Sequence, residues 1–346
     1  MEILITSMKT KIVAQNHATF SNCLIICKIK SSSSTPSMTH KIAIIGSGAF
    51  ACAVYSAVRD VPGNEISMYF KDEDCYADII TKGGHPTMPC VFDTFTKLTL
   101  DLDVAVNGAQ TIFLCCVFAA AREVIDNLAA ILGTATEFNL IICCKGMLAE
   151  EPFFLCDYAE SKLPRAHVMV LSGGSFADEM CRKQQTHVNL ACKDVAQVQE
   201  LTPLFDGFLH ITPTDKIHET EFLGAMKNIM AIYCGYLSRH GSVNEVIGGL
   251  TEFLQGTKAF FEAIGFDTTA LFSQAGIGDI MLTCLSGKSR NRTFGELLGK
   301  DPRQAKKFQQ STTIEGYDAM FAIKKFCQAK KVSFHALEEV VKVVEE

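Results

Sequence analysis

The residue with the clearest chemical potential is Lys227, which lies within the apolar run from Glu221 to Ile232. A lysine that is unpaired and desolvated favours its neutral amine, and such an amine can exchange a proton near neutral pH. The alternative is a structural lysine that extends to the helix end or pairs with a distant acid, and this helix alone favours neither interpretation. Its helical neighbours three and four positions away carry no charge: Leu223, Gly224, Met230 and Ala231.

A glycine-rich loop follows the first apolar strand-like run, KIAII, which begins at Lys41. The segment Gly46-Ser47-Gly48-Ala49-Phe50-Ala51 then leads into a helix-compatible run. Gly46 would allow the turn, Gly48 would let the backbone approach a pyrophosphate, and the small Ala51 would let the helix pack on the strand. This context predicts a dinucleotide-binding loop, and the alternative is an ordinary strand-to-helix turn.

The second predicted strand, Glu65 to Phe70, ends at Lys71-Asp72, where such a fold contacts the adenosine ribose. An acid at the strand end would favour NAD, whereas a base can accept the 2′-phosphate of NADP. Lys71 therefore leaves both NAD and NADP open. The alternative is a solvated lysine in a charged turn.

Two later strands also end in polar residues. One runs into Lys145-Gly146, and the next runs into the segment from Ser172 to Ala177. Ligands of open parallel sheets bind beyond the carboxyl ends of the strands, so both turns should face the nicotinamide side of the crevice. For Lys145 alone, a strand-end lysine in solvent is the favoured alternative.

The C-terminal half carries further polar clusters. Asp279 could simply be the N-cap of a helix that starts at Ile280. The loop 286–292 could be merely solvated, yet its hydroxyls, amide and guanidinium groups are the donors that a phosphate needs. Thr312 and Glu315 have the spacing of a capping box. From this spacing alone, a helix-capping role is favoured over a binding role.

The elements that must position these residues fall into two halves. Strands that alternate with helices predict a mostly parallel, doubly wound sheet, and helical patterns alone follow Thr212. Residues 79–107 are predicted to be irregular and carry no motif. We therefore expect an α/β, Rossmann-like domain at 38–215 and an all-helical substrate and catalytic domain at 216–346. The strand-like runs are 41–45, 65–70, 111–117, 139–144, 167–172, 187–191 and 208–212.

The composition of the 346-residue chain sets outer bounds on its function. A formal charge of −6 and a pI near 5.9 argue against nucleic acid as a partner. No apolar run reaches the roughly 18 residues that span a bilayer. The 15 cysteines include no C-x-x-C pair, which argues against a zinc ribbon or a thioredoxin-like site. We expect no metal site, and a reducing cytoplasm fits best. Cys115, Cys116, Cys143 and Cys144 look like small core residues of strands.

Residues 1–37 form a separate compositional segment with a serine run at 31–34. They could be a targeting segment, although such segments are usually richer in arginine. We favour a disordered or non-native extension upstream of a true start at Met38.

Taken together, the motifs resemble the bacterial type of NAD(P)-dependent sn-glycerol-3-phosphate dehydrogenase. The resemblance runs from Met38 to about Leu337, and the interval of eleven positions between Asp279 and Arg290 is typical of the bacterial form. It implies reversible hydride transfer between NAD(P)H and dihydroxyacetone phosphate, which supplies glycerol phosphate for phospholipid synthesis, usually by a homodimer. The matching stretches are IIGSGAF, CKGM, LSGGSFADE, GAMKNIMAI, GIGDIMLTC, SGKSRNRTFG and IEG.

The resemblance also implies a role for each matching residue. Lys227 corresponds to the proton donor and acceptor, and Lys145 to a second active-site lysine. We expect Asp279, which matches a substrate-binding position, to hold the ammonium of Lys227. The implied substrate-binding residues are Lys145, Gly173, Ser175, Lys227, Asn228, Asp279, Thr283, Ser289, Arg290 and Asn291. The implied cofactor-binding residues are Gly46, Gly48, Ala49, Phe50, Lys71, Lys145, Ala177, Arg290 and Glu315.

The chain departs from the family pattern at a few positions. Ala51 stands where the family has the third glycine of the loop, and Phe50 where it often has tryptophan, while Gly174 and Val117 stand where the family usually has proline. The family also continues with further helix beyond Glu346. Two alternatives therefore remain: a related dehydrogenase for another three-carbon or hydroxyacyl substrate, and an inactive nucleotide-binding regulator.

Overall fold

The computed structural model describes residues 39–345, so the prediction for residues 1–37 lies outside the described part of the chain. An eight-stranded sheet forms the N-terminal half, in the order β3-β2-β1-β4-β5-β6-β7-β8. Its strands are β1 (His40–Ile45), β2 (Asn64–Tyr69), β3 (Lys97–Thr99), β4 (Thr111–Leu114), β5 (Phe138–Ile142), β6 (Ala166–Ser172), β7 (Thr186–Ala191) and β8 (Leu209–Thr214).

All neighbouring strands in this sheet run parallel except β6 and β7, which are antiparallel. The first six strands have the order of the doubly wound dinucleotide-binding fold, with the switch point between β1 and β4. Alternate residues of β1 contact different cores: Ile42 and Ile44 pack on one face, Ala43 and Ile45 on the other. Burial of both faces explains the continuous apolar runs, and the predicted fold class is confirmed.

Helices cover both faces of the sheet. Residues 79–107, which the sequence predicts to be irregular, contain the end of one helix, the strand β3 and a further short helix. That prediction is wrong because β3 has only three residues and pairs with β2, so it shows no periodicity. The helices of this half are α1 (Ala49–Val58), α2 (Glu73–Lys82), α3 (Leu102–Val106), α4 (Phe118–Leu132), α5 (Leu155–Lys162), α6 (Ala177–Cys181) and α7 (Val195–Leu201), with a 3₁₀ turn at Thr202–Leu204.

The C-terminal half contains only helices among its described residues. Its first helix, α8, is buried on all sides along most of its length, as expected of a helix that is apolar all round. The helices are α8 (Ile217–His240), α9 (Val243–Ile264), α10 (Asp279–Leu285), α11 (Arg290–Lys300), α12 (Pro302–Ser311), α13 (Glu315–Lys330) and α14 (His335–Glu345), with tight turns at Thr268–Phe272 and Gln274–Gly278.

Helices α8 and α11 approach each other to backbone contact. A Cβ added at Gly295 of α11 would lie 1.9 Å from the carbonyl oxygen of Ile232. A Cβ added at Gly235 of α8 would lie 2.1 Å from the carbonyl oxygen of Arg292. These two glycines therefore set the position of α11, whose first turn contains the residues implied in substrate binding.

The cysteines of the described residues are all free thiols. Cys115 and Cys143 are buried in the core, as predicted, whereas Cys116 and Cys144 are only half-buried. Between residues 39 and 345, no helix has both the length and the apolar character needed to cross a membrane.

Candidate active site

A buried ion pair joins α8 to α10. The ammonium of Lys227 donates a hydrogen bond of 2.6 Å to Oδ1 of Asp279, and the two side chains are 11% and 1% exposed. The hydroxyl of Thr283 donates to the same oxygen over 3.2 Å. The other oxygen, Asp279 Oδ2, is buried and has no hydrogen-bond partner within residues 39–345, so it remains free to accept a bond from a ligand.

The capping interpretation of Asp279 is wrong. Gly278 is the N-cap of α10, and Asp279 is the first helical residue. Its carboxylate turns to Lys227 because the buried ammonium offers a stronger, charge-assisted bond than a backbone amide does.

Lys145 lies just beyond the end of β5. Its ammonium donates a hydrogen bond of 3.2 Å to the hydroxyl of Ser172 at the end of β6 and lies 5.9 Å from the ring centroid of Phe50. Burial lowers the pKa of Lys145, and the positive charge of Lys227 lowers that pKa further. Two cationic side chains therefore meet at the carboxyl edge of the sheet.

Helix α8 fits closely against this edge. A Cβ added at Gly224 would lie 3.3 Å from the hydroxyl oxygen of Ser172 and 3.7 Å from the side chain of Lys145. Because residues three positions apart share a helix face, Lys227 projects from the same side of α8 as Gly224. The small residue at 224 thus brings the two lysines together.

The glycine loop has the geometry that the sequence predicts. Gly46 has a φ of +135°, and a Cβ there would lie 2.7 Å from the carbonyl oxygen of Cys115. Gly48 is the N-cap of α1, and a Cβ there would have no atom within 4 Å, so open space lies before the helix N-terminus. A pyrophosphate fits such a position, and Ala49 and Phe50 form the first turn beneath it.

Lys71, which the sequence places at the ribose end of the site, follows β2. Its ammonium lies 3.5 Å from Oε1 of Glu123 in α4, and both side chains are mostly exposed. An exposed pair of this kind is weak and can exchange partners. Lys71 is therefore available to an anionic group, but no contact joins it to the two central lysines.

The turn 173–175 lies beside the segment that leads to Asp279. Gly173 has a φ of +155°, and a Cβ there would lie 2.7 Å from Cα of Val188. The hydroxyl of Ser175 donates to the carbonyl oxygen of Gly173 over 2.9 Å. A Cβ at Gly174 would lie 3.4 Å from the carbonyl oxygen of Gly278, and Ala177 begins α6 just beyond the turn.

The predicted phosphate-binding residues stand at the start of α11. Ser289 is the N-cap, and its hydroxyl oxygen accepts from the amide of Arg292 over 3.2 Å. Arg290 is exposed and its side chain makes no hydrogen bond or ion pair with any other described residue, so its guanidinium group is free for a ligand. Asn291 is buried, and its Oδ1 accepts from the amide of Gly316 over 2.9 Å.

Glu315 is the first residue of α13, and its Oε2 accepts a hydrogen bond of 3.3 Å from the side-chain amide of Asn228. The capping-box prediction for Thr312 and Glu315 is wrong, because Ile314 is the N-cap and no side chain caps this helix. Asn228 directly follows Lys227 on α8, so this contact connects Glu315 to the central lysines. A cavity of about 250 Å³ lies between Lys145 and Glu315.

Three residues that hold parts of the site in place were not assigned this role from the sequence. Ser172 holds Lys145, as described above, and His85 lies 2.9 Å through Nε2 from the carbonyl oxygen of Ser47 in the glycine loop. The buried Asn189 of β7 accepts a hydrogen bond of 2.9 Å from the amide of Ala275, just before α10. A polar residue in the middle of an apolar strand, as Asn189 is in HVNLA, was the available signal for the last of these.

The doubly wound sheet, its glycine loop and the adjoining lysines define a class: a dinucleotide-dependent dehydrogenase with an appended helical half. The family model for the N-terminus of NAD-dependent glycerol-3-phosphate dehydrogenase matches residues 41–198, and the model for its C-terminus matches residues 217–346. The chain belongs to the NAD-dependent glycerol-3-phosphate dehydrogenase family. It is thus an NAD(P)-dependent enzyme that interconverts dihydroxyacetone phosphate and glycerol 3-phosphate, and the prediction from the motifs is confirmed.

Individual relatives agree with this assignment. Glycerol-3-phosphate dehydrogenase [NAD(P)+] of Afipia carboxidovorans is 30% identical over 267 residues, which cover 75% of this chain and 79% of the relative. The enzyme of the same name from Limosilactobacillus reuteri is 27% identical over 322 residues, covering 89% and 94%. Among solved structures, glycerol-3-phosphate dehydrogenase from Coxiella burnetii matches with a TM-score of 0.80 at 23% identity, covering 89% of this chain and 95% of that one, which supports the fold.

Proposed function

We propose that Lys227 is the proton donor and acceptor of this reaction and that Lys145 and Asp279 assist it. The supporting observation is the buried pair of Lys227 and Asp279 beside the half-buried Lys145. This arrangement favours a division of labour between a sheet domain at 38–215 that binds the cofactor and a helical domain at 216–346 that binds the substrate.

The proton chemistry follows from the charges of these three side chains. When bound, the nicotinamide cofactor supplies or accepts the hydride at C2 of the substrate. Lys227 protonates the oxygen that gains negative charge at C2, and it removes that proton again in the reverse direction. Lys145 stabilises the same oxygen as a second cation. Asp279 orients the ammonium of Lys227, and Thr283 holds the carboxylate of Asp279.

The phosphate of the substrate is assigned to the first turn of α11. The free guanidinium group of Arg290 can form two parallel hydrogen bonds with phosphate oxygens. Ser289, Asn291 and Asn228 add polar groups around it, while Gly173 and Ser175 border the remainder of the substrate. Holding a group that does not react fixes C2 next to the lysines, which is how such binding accelerates the reaction.

The cofactor is assigned to the opposite side of the crevice. Gly46, Gly48, Ala49 and Phe50 would bind its pyrophosphate and neighbouring ribose, because open space lies before the N-terminus of α1. The remaining assigned contacts come from the ends of other elements: Lys71, Lys145, Ala177, Arg290 and Glu315.

Substrate discrimination tests the phosphate assignment. We expect Arg290→Ala to lower kcat/KM for dihydroxyacetone phosphate by roughly ten- to hundredfold, since a charged hydrogen bond contributes about 1.5–3 kcal/mol. With NADH at saturation, its kcat/KM for unphosphorylated dihydroxyacetone should change little. Arg303→Ala, which removes an arginine that is 92% exposed and lies outside the site, serves as the control. Equal losses for the two substrates would contradict the assignment.

The assembly and the location of the enzyme are separate proposals. From the family resemblance we expect a cytoplasmic homodimer. Light scattering coupled to gel filtration should report twice the chain mass, and a single chain mass would contradict the dimer.

A further inference from the structure

Two half-buried cysteines stand side by side at the carboxyl edge of the sheet. Strands β4 and β5 pair in parallel register up to Leu114 and Ile142. Cys116 and Cys144 each lie two residues beyond that last pair, so both point to the same face of the sheet. Adjacent strands of a sheet lie about 4.8 Å apart, so the side chains of Cys116 and Cys144 are neighbours.

This pair lies next to the glycine loop assigned to the cofactor. A Cβ added at Gly46 would lie 3.3 Å from the backbone nitrogen of Cys116, so the cysteine backs directly onto the glycine loop. Cys144 immediately precedes Lys145 in the chain. A group attached to Cys116 would therefore add bulk beside the glycine loop.

The surroundings make Cys116 the more reactive thiol of the two. The hydrogen bond from Cys144 lowers the pKa of Cys116, burial opposes this effect, and the positive charge of Lys71 lowers that pKa further. Partly exposed thiols near a cation are the ones that react. The half-buried Cys75 offers a contrast, because burial and the nearby Asp72 and Asp78 raise its pKa.

We propose that Cys116 and Cys144 form a redox-sensitive modification site that reacts with small disulfides and then blocks the cofactor crevice. The thiolate of Cys116 attacks one sulfur of R–S–S–R, a mixed disulfide forms, and RS⁻ leaves and takes up a proton. Cys144 loses its proton to solvent and attacks the sulfur of Cys116, which expels the second RS⁻. Two protein thiols are oxidised to one disulfide while R–S–S–R is reduced to two molecules of RSH.

The test treats the full chain with cystamine and follows NADH oxidation and cysteine-containing peptides by mass spectrometry. We expect loss of activity in step with a Cys116–Cys144 disulfide, recovery with dithiothreitol, and slower modification in the presence of NADH. Cys116→Ser should slow inactivation by about tenfold or more, since it removes the attacking thiolate. Cys144→Ser should stop the reaction at the mixed disulfide on Cys116.

Cys75→Ser is the matched control, and its inactivation rate should equal that of the unsubstituted enzyme. Modification of Cys116 no faster than of Cys75, or complete disulfide formation with full activity, would overturn the proposal. The role of the pair in blocking the cofactor rests on the proposed cofactor site. If the disulfide forms fast but NADH does not slow its formation, the pair is reactive but does not lie beside the bound cofactor. This result would overturn the proposed block of the cofactor crevice.

Discussion

Replacing Gly295 with alanine tests how α11 is held against α8. The added Cβ would lie 1.9 Å from the carbonyl oxygen of Ile232 and 2.9 Å from the backbone nitrogen of Tyr236. Both are backbone atoms, so one helix must move. Overpacking of this kind costs about 1–3 kcal/mol, and we expect the upper end because two backbone atoms are involved. The better helix propensity of alanine returns about 1 kcal/mol, which leaves a net destabilisation of about 2 kcal/mol.

Urea denaturation measures this difference, and Gly248→Ala is the matched control. Gly248 also lies inside a helix, α9, but is exposed and has no atom within 4 Å of an added Cβ. Alanine there should stabilise the enzyme by about 0.5–1 kcal/mol.

The same shift should affect substrate binding. Because α11 begins with Arg290 and Asn291, Gly295→Ala should raise KM for dihydroxyacetone phosphate more than KM for NADH. A Gly295→Ala enzyme as stable as the Gly248→Ala enzyme, with unchanged KM values, would refute the argument that these glycines position α11.

Two further predictions concern single charged groups. Burial raises the pKa of Glu221 from 4.5 to about 7. The folded protein therefore binds more protons than the unfolded chain between these values, and Glu221 makes stability fall as pH rises from about 4.5 to 7. Between pH values near 4.5 and 8, Glu221 should lower the free energy of unfolding by about 3 kcal/mol. Glu221→Gln should remove this decrease from urea denaturation curves measured at the two pH values. A pH dependence of stability that Glu221→Gln leaves unchanged would contradict this. Lys71→Ala should raise KM for NADPH by up to about fivefold with little effect on NADH, and equal effects would exclude a contact with the 2′-phosphate.

The sequence was informative wherever a local pattern and the tertiary structure agree. The central strands β1, β4, β5 and β6 are buried on both faces, so their apolar runs were visible without knowledge of their neighbours. The glycine loop could be predicted for a similar reason: Gly46 needs its backbone conformation whatever binds there. The helix around Lys227 was also evident, because a helix buried on all sides leaves little room for polar residues.

Local patterns failed where a distant side chain decides the outcome. Glu315 and Asp279 both have the spacing of capping residues, yet their carboxylates turn to Asn228 and Lys227 on α8. Those partners lie 87 and 52 positions away in the chain. The strand β3 was missed for the same reason, since its three residues are defined by pairing with β2. Close approach of distant segments was not visible in any short window of sequence.

The most direct test of the account is the rate of NADH oxidation by Lys227→Arg in a single turnover with dihydroxyacetone phosphate. Arginine keeps the charge beside Asp279 but does not release its proton, so a purely structural residue would tolerate this change far better than a catalytic one. We predict a rate reduced by at least about 10²-fold, with an affinity for NADH, measured by fluorescence, within about twofold of the unsubstituted enzyme. Near-normal turnover, or equal losses of turnover and NADH affinity, would contradict the assignment of Lys227 as the proton donor and acceptor.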